Sequence, residues 1–569
     1  MKHKITIYQI LPRLFDNPNE ECIPGGTLET NGAGKYGSFT PQALQSISDL
    51  GCTHVWYTGI LEHATRTSFA SDGIPGDHEA IVKGQAGSPY SIKDYYDVTP
   101  TLADVPAKRM EEFEDLIRRT HDAGLKVIID FVPNHVARQY HSDLCPQYTN
   151  DFGEFDDRTQ AFLPSNNYYY LPMETLVIQT EDQSEPIPYM EFPARATGND
   201  KFTTSPDRND WYDTVKLNYG IDYLGGHTEH FDPIPDTWEK MRDIIGYWLT
   251  KGVDGFRCDM AEMVPVEFWR FLIGYARNLN PEVLFIAEIY KPELYDGYLQ
   301  AGFDYLYDKV GLYDMLIDIL KGQRSAADIR YIWQSQETLK GSMLRFMENH
   351  DEQRLASDFV VGDPFRAYPA MVMSALIDAG AVMIYFGQEL GERGMDVEGY
   401  SGRDGRTSIF DYWSLETMRR WIGRDHTFSG DELEESQRIL REKYRKLLNA
   451  AISLPALSSG TFFDLMYVNA DYPVDTSKEY YFLRAYGSEV ALVGINFSDH
   501  SIKREVKIPE HAFAMMNVGD EAPCVVTDVF GESKGVGSLS SHMPFTLEIP
   551  AYDAVIYYFC AQDQTFPEF

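Results

Sequence analysis

Cysteine is scarce: there are six in 569 residues, at Cys22, Cys52, Cys145, Cys258, Cys524 and Cys560, and no two have Cys-x-x-Cys spacing. That excludes a disulfide-stapled scaffold, supplies no thiolate set for zinc, and leads us to expect a reducing, cytoplasmic setting. Long apolar runs are missing too. No uncharged stretch approaches the ~20 residues that cross a bilayer, so no membrane partner is expected. The opening Met1-Lys-His-Lys-Ile-Thr-Ile-Tyr-Gln-Ile-Leu-Pro12 has too short an apolar part, and too β-like a pattern, for a secretory leader. Positive charge is in deficit, with Lys+Arg 50 against Asp+Glu 87 and a net charge of −37. Such a field repels phosphate backbones and anionic lipid faces, which argues against nucleic acid as a partner. No glycine-rich phosphate loop follows the first apolar strand.

What is present is an ordinary globular composition, 43% hydrophobic and 24% charged, in a chain long enough for two or three domains at roughly 100–200 residues each. Aromatics reach 14%, with 37 Tyr and 8 Trp; flat amphipathic rings suit the faces of neutral sugars, although most aromatic side chains serve the core. Helix-then-strand units recur along the chain. Met110, Phe113, Leu116 and Ile117 share a helical face, Gly124 stops the helix, and Leu125 to Val132 is a nearly continuous apolar strand. The same rhythm gives a helix over 238–249 before the strand at 255–259, then a helix over 268–279 before the strand at 283–287. Strands without polar alternation belong to a parallel sheet covered on both faces. With Ile5 to Leu11 and further runs at 53–57, 303–307, 343–347 and 382–386, the count reaches about eight, which favours a closed (β/α)8 TIM barrel, class α/β, over an open doubly wound sheet. The expected organisation is a barrel in two parts, 1–133 and 236–454, interrupted after the third strand by an inserted subdomain at 134–235 and followed by an all-β domain at 455–569. The insertion is needed because barrel loops normally run to roughly 2–6 residues. The last domain shows short β runs such as 480–485, 490–496 and 555–559.

In a barrel, chemistry sits at the C-terminal ends of the strands. Four predicted strands end in titratable groups: Asp130-Phe-Val-Pro-Asn134-His135, Arg257-Cys-Asp259, Glu288, and Glu348-Asn-His350-Asp351. A lone acid there is usually a helix cap or an ion-pair partner, but several converging on one mouth are not. Glycoside hydrolysis requires such a set, one carboxylate to attack the anomeric carbon and one carboxylic acid of raised pKa to protonate the leaving oxygen. Asp259 and Glu288 fit these parts. Arg257, two residues before Asp259 and so on the same side of its strand, is expected to keep that carboxylate ionised, while Glu288 follows the apolar Phe285-Ile-Ala287 and is expected to hold its proton. Direct attack requires the two carboxyl groups to be about 5–5.5 Å apart.

In order and spacing these segments resemble the four sequence motifs of the α-amylase family of retaining glycosidases, GH13. The resemblance spreads from about residue 5 to 390. It implies that Asp259 is the nucleophile, Glu288 the general acid/base and Asp351 the third carboxylate, which binds sugar hydroxyls and helps distort the ring. Arg257, His135 and His350 would line the same subsite, and Tyr90 in Gly87-Ser-Pro-Tyr90 would stack on the bound glucose. The implied substrate is an α-1,4-glucan: starch, glycogen or maltooligosaccharides. Alternatives within the family are a transglycosylase or isomerase and a cyclomaltodextrinase- or neopullulanase-type enzyme; outside catalysis, the alternative is a non-catalytic carbohydrate-binding relative.

The pattern departs from the family in two places. Many α-amylases have Lys-His three and four residues after the nucleophile, where this chain has Glu262-Met263. The family's calcium site takes the asparagine matching Asn134 and an aspartate from the inserted subdomain, but the corresponding short motif here reads Val215-Lys216-Leu217-Asn218. An ammonium cannot ligate calcium. We therefore expect no required cofactor and no metal at that shared position, with calcium elsewhere left open. Lys216-Leu217-Asn218 is similar to the version in cyclomaltodextrinases and neopullulanases. The cluster Gly387-Gln-Glu-Leu-Gly391 and Gly402-Arg-Asp-Gly-Arg406, after the last strand, is expected to shape the rim of the site, with Arg403 and Arg406 as either structural ion-pair partners or ligands.

Overall fold

The computed structural model describes residues 4–147, 149–179, 187–471, 473–531 and 533–560. Residues 1–3 of the segment read for a leader lie outside that set. Eight parallel strands form a closed barrel: β1 Thr6–Ile10, β2 His54–Tyr57, β3 Lys126–Phe131, β4 Gly255–Cys258, β5 Leu284–Ala287, β6 Tyr305–Tyr307, β7 Met343–Phe346 and β8 Ala381–Tyr385. Each pairs with its neighbours in sequence, and β1 closes the ring by pairing with β2 through Ile7↔His54 and with β8 through Thr6↔Val382. Side chains alternate along a strand, so one set from each points inward; Ile7, Trp56, Ile128, Ile286, Tyr305, Leu344, Phe346 and Met383 fill the interior as one cluster. The opposite set meets the helices.

Helices α1 Arg109–Asp122, α2 Asp236–Thr250 and α3 Val266–Leu279 each turn one apolar stripe to the sheet. In α2 that stripe is Trp238, Met241, Ile244, Ile245 and Trp248, all buried, and the Trp248 indole N–H donates to the Tyr95 carbonyl at 2.8 Å. Burying side chains of this size stabilises the fold by roughly 1.5–3 kcal/mol each.

Short antiparallel pairs fill the stretch between β3 and α2: His135–Ala137 with Thr214–Lys216, Tyr170–Leu171 with Ala194–Arg195, and Leu176–Ile178 with Tyr189–Glu191. A second excursion, after β2, pairs Leu61–His63 with Ile92–Val98. Beyond the barrel, Thr461–Asp464, Glu479–Tyr486, Glu489–Asn496, Asp553–Cys560, Cys524–Asp528 and Lys534–Gly537 form a six-stranded antiparallel sheet in that order. This is the C-terminal all-β unit. Arg484, fully buried, joins it to the barrel by donating to the Leu376 carbonyl at 2.6 Å, and within the C-terminal unit it donates to the Gly460 carbonyl at 2.7 Å.

Candidate active site

The inward parity of β4 carries Gly255 and Arg257 and places Asp259 just past the strand end, while the strand end of β5 delivers Glu288 beside it. Arg257 has no exposed surface and lies over the rings of Trp56, Tyr90 and Tyr307 at 5.3, 5.3 and 5.5 Å. Its guanidinium reaches both acids: Nη1 donates to Asp259 Oδ1 at 2.8 Å and Nη2 lies 2.9 Å from Glu288 Oε1. A single planar fork therefore spans the two carboxyl groups. The second oxygen of Asp259, Oδ2, is buried and receives no hydrogen bond from the protein. Glu288 is held on both oxygens, Oε2 by the Met260 N–H at 2.7 Å and Oε1 by the Tyr290 hydroxyl at 2.6 Å. Met260 adopts φ +43° to present that N–H. A left-handed conformation is costly for a long side chain and persists where surrounding contacts impose it.

Burial pushes Asp259 up to about 6, against the opposing pull of Arg257 and with help from Asp130. The expectation that the arginine alone keeps this carboxylate fully ionised is thus modified, because desolvation outweighs a charge shared with Glu288 and Asp130. Glu288 goes higher, to about 7, for the same first reason, with Arg257 opposing and Asp259 adding to it. The order anticipated from the sequence, Glu288 above Asp259, is kept.

Asp351 lies across the cleft, its side chain 43% exposed through the mouth. Burial among surrounding atoms raises its pKa, but His350, Arg257 and Arg406 outweigh that and hold it below the ordinary carboxylate value. The Gln9 side-chain amide lies 2.8 Å from His350 Nδ1, and the other ring nitrogen, Nε2, lies 2.9 Å from Asp351 Oδ2 and 2.6 Å from the Tyr90 hydroxyl. Tyr90 stacks on His350 at 5.1 Å and its hydroxyl donates a hydrogen bond to Asp130 Oδ1 at 3.3 Å. Its position is fixed locally by Gly87, at φ +78°, where a Cβ would come within 1.7 Å of the Ala64 carbonyl oxygen. His135 is buried against the Trp211 ring at 5.1 Å; burial, with Lys216 and Lys83 adding to it and Asp213 opposing, pushes it down to about 3, so its imidazole is neutral.

All six of Tyr90, His135, Asp259, Glu288, His350 and Asp351 line one cleft of about 280 Å³, with Arg257 directly beneath. Glu348 is not among them: it points into the wall, paired with Arg354 at 2.9 Å and capping the Leu355 N–H at 2.8 Å. Arg406 donates to the Asp351 carbonyl at 2.7 Å and so braces the rim. The sequence reading missed Tyr290, Trp211 and the ion pair Lys83–Asp213, 2.8 Å long, which also face the cleft. Tyr290 stands two residues after Glu288 and parity alone could have found it; Trp211, Lys83 and Asp213 come from irregular loops that carry no periodic signal.

The Lys216 ammonium donates to Asn134 Oδ1, lies 2.8 Å from Asp200 Oδ1 and reaches the Met263 carbonyl at 3.3 Å. The oxygens that would have to ligate a metal at the family's shared position already surround a cation of the chain itself, so the residues do not fit calcium there.

A model of the alpha amylase catalytic domain matches residues 9–443. Alpha-amylase 3 of Dictyoglomus thermophilum is 23% identical over 396 residues, 65% of this chain and 68% of that protein. Neopullulanase 2 of Thermoactinomyces vulgaris is 23% identical over 404 residues, 68% of this chain but only 57% of that protein. Among solved structures, the alpha-amylase of Geobacillus thermoleovorans in complex with acarbose superposes with a TM-score of 0.64 at 16% identity, covering 98% of both chains. At that identity the likeness is one of fold.

Proposed function

The chain belongs to the α-amylase family, and from that premise we propose that it is a retaining glycoside hydrolase cleaving α-1,4-glucosidic bonds in starch, glycogen or maltooligosaccharides. The observation that supports this most directly is the single Arg257 fork on Asp259 and Glu288, with Asp259 Oδ2 left free of hydrogen bonds. In this reading Oδ2 attacks the anomeric carbon as the glycosidic C–O bond breaks. Glu288 gives its proton to the departing oxygen, forming the new chain end and a covalent glycosyl-enzyme. Glu288, now a carboxylate, then takes a proton from water, whose oxygen displaces Asp259 with overall retention. Asp351, the neutral His135, and His350 bind ring hydroxyls, and Tyr90 offers its face to the sugar. Lys216 does in the wall what a bound cation would do, and no step is assigned to a metal.

A second reading is favoured by Lys216-Leu217-Asn218 and by the neopullulanase among the relatives: short or cyclic oligosaccharides as substrates, with transfer to a sugar hydroxyl competing with water. One incubation with starch, pullulan, cyclodextrin and maltotriose, read by chromatography, separates the two. Glucose and maltose from maltotriose support hydrolysis; longer products mean transglycosylation; preference for cyclodextrin means the second reading. Asp259→Asn is expected to lose roughly 10⁴-fold in turnover while still binding sugar. Wild-type turnover in that variant would refute the assignment of Asp259, whereas an unaltered protein that binds sugar without turnover would be the carbohydrate-binding scaffold.

A further inference from the structure

Beneath the Tyr90 segment, outside the cleft, three buried carboxylates meet. Glu62 on Leu61–His63 stands opposite Asp94 on Ile92–Val98, and irregular register on either side of Glu62 brings Asp97 to the same place. One oxygen from each of the three lies within 4.8 Å of the others. Their exposures are 2%, 0% and 0%. Asp94 and Asp97 have partners: Asp94 Oδ2 accepts the Asp143 N–H at 2.8 Å and Oδ1 the Tyr96 N–H at 2.7 Å, and Asp97 Oδ2 accepts Arg109 Nε at 2.7 Å. Glu62 does not. Neither of its oxygens makes a hydrogen bond, and its nearest cation, Lys93 Nζ, stands 3.9 Å away while bonding instead to the Pro75 carbonyl at 2.8 Å and approaching Asp77 at 3.4 Å. Five carboxylates, counting Asp77 and Asp143, thus face two permanent cations, Lys93 and Arg109, with His141 3.6 Å from Asp143 at the edge of the cluster. A fully buried carboxylate without a hydrogen bond or close counter-charge is several kcal/mol too costly to keep ionised.

We propose that Glu62, Asp94 and Asp97 form a binding site for one hard divalent cation, calcium by its all-oxygen donor set and by a span that suits Ca–O distances of about 2.3–2.6 Å. The ion would neutralise Glu62 and join three segments: the strand of Glu62, the strand that starts two residues after Tyr90, and, through the Asp143 N–H on Asp94, the first loop of the insertion.

The whole chain, stripped with a chelator and dialysed, is titrated with CaCl2 by calorimetry and melted with and without 5 mM calcium. The expected result is one equivalent bound per chain, with a thermal midpoint raised by several degrees. Glu62→Gln should weaken binding by 10–100-fold and remove the thermal shift, whereas Asp358→Asn, an exposed acid elsewhere, and Asp200→Asn at the Lys216 position should leave both intact. A readout on the unaltered protein is hydrogen exchange: calcium should slow it at residues 60–64, 92–98 and 142–145. No binding at 5 mM, undiminished binding in Glu62→Gln, or protection confined to other segments would each overturn the proposal.

Discussion

At the scale of single residues, the proposed reaction asks Asp259 to be ionised while Glu288 is protonated, and the two titrate close together, near 6 and 7. The pair loses its active form below the lower value, where Asp259 gains a proton, and above the higher, where Glu288 loses one. A bell-shaped profile of kcat/KM with limbs near pH 6 and 7 is expected, each limb a property of the pair. A flat profile from pH 5 to 9 would contradict this. Tyr290 sharpens the test. Its hydroxyl donates to Glu288 Oε1 at 2.6 Å and thereby favours the carboxylate, so Tyr290→Phe should raise the pKa of Glu288. The alkaline limb then moves up, by roughly half to one pH unit, while the acid limb stays within a few tenths; a downward shift would mean that Tyr290 serves the neutral acid instead.

Among elements, the pair His135–Ala137 and Thr214–Lys216 holds the insertion against the barrel, and Lys216 bonds to the insertion at Asp200 and to loops after β3 and β4. Lys216→Met should destabilise by about 2 kcal/mol, less than a wholly buried ion pair because Asp200 is partly exposed, and added calcium should not restore it. Chemical unfolding with an unchanged m-value checks the figure. The sequence made the elements around this junction legible to very different degrees. The barrel strands were readable because burial on both faces leaves uninterrupted apolar runs, as in Val127-Ile-Ile129, and because Gly124 and Gly252, both at positive φ, end the preceding helices. Residues on or just after those strands, Arg257, Asp259 and Glu288, inherited that clarity. The hairpin of Leu61–His63 with Ile92–Val98 was not readable: its strands are buried yet polar, with Glu62, His63, Lys93, Asp94 and Asp97 all inside, so no alternation marks them. Lys216 could be found only through a motif, since nothing in its neighbours says that an ammonium is buried.

For the whole molecule, the C-terminal sheet is fastened to the barrel by Arg484 on the Leu376 carbonyl and by Lys443 on both oxygens of Asp553 at 2.7 Å. Its apolar face continues the core around Tyr368 and Leu447. We expect a chain ending at 454 to aggregate or to expose apolar surface, seen by size-exclusion chromatography and dye binding; a soluble, active 1–454 would assign the sheet a role other than support. Closure of the barrel carries a temporal consequence. Thr6 and Val382 are register partners, so the first strand leaves the ribosome with one flank unpaired and waits for a mate synthesised about 380 residues later. At roughly 5–20 residues per second the nascent protein spends tens of seconds with an open seam, and its yield in cells should respond to chaperone supply during that interval.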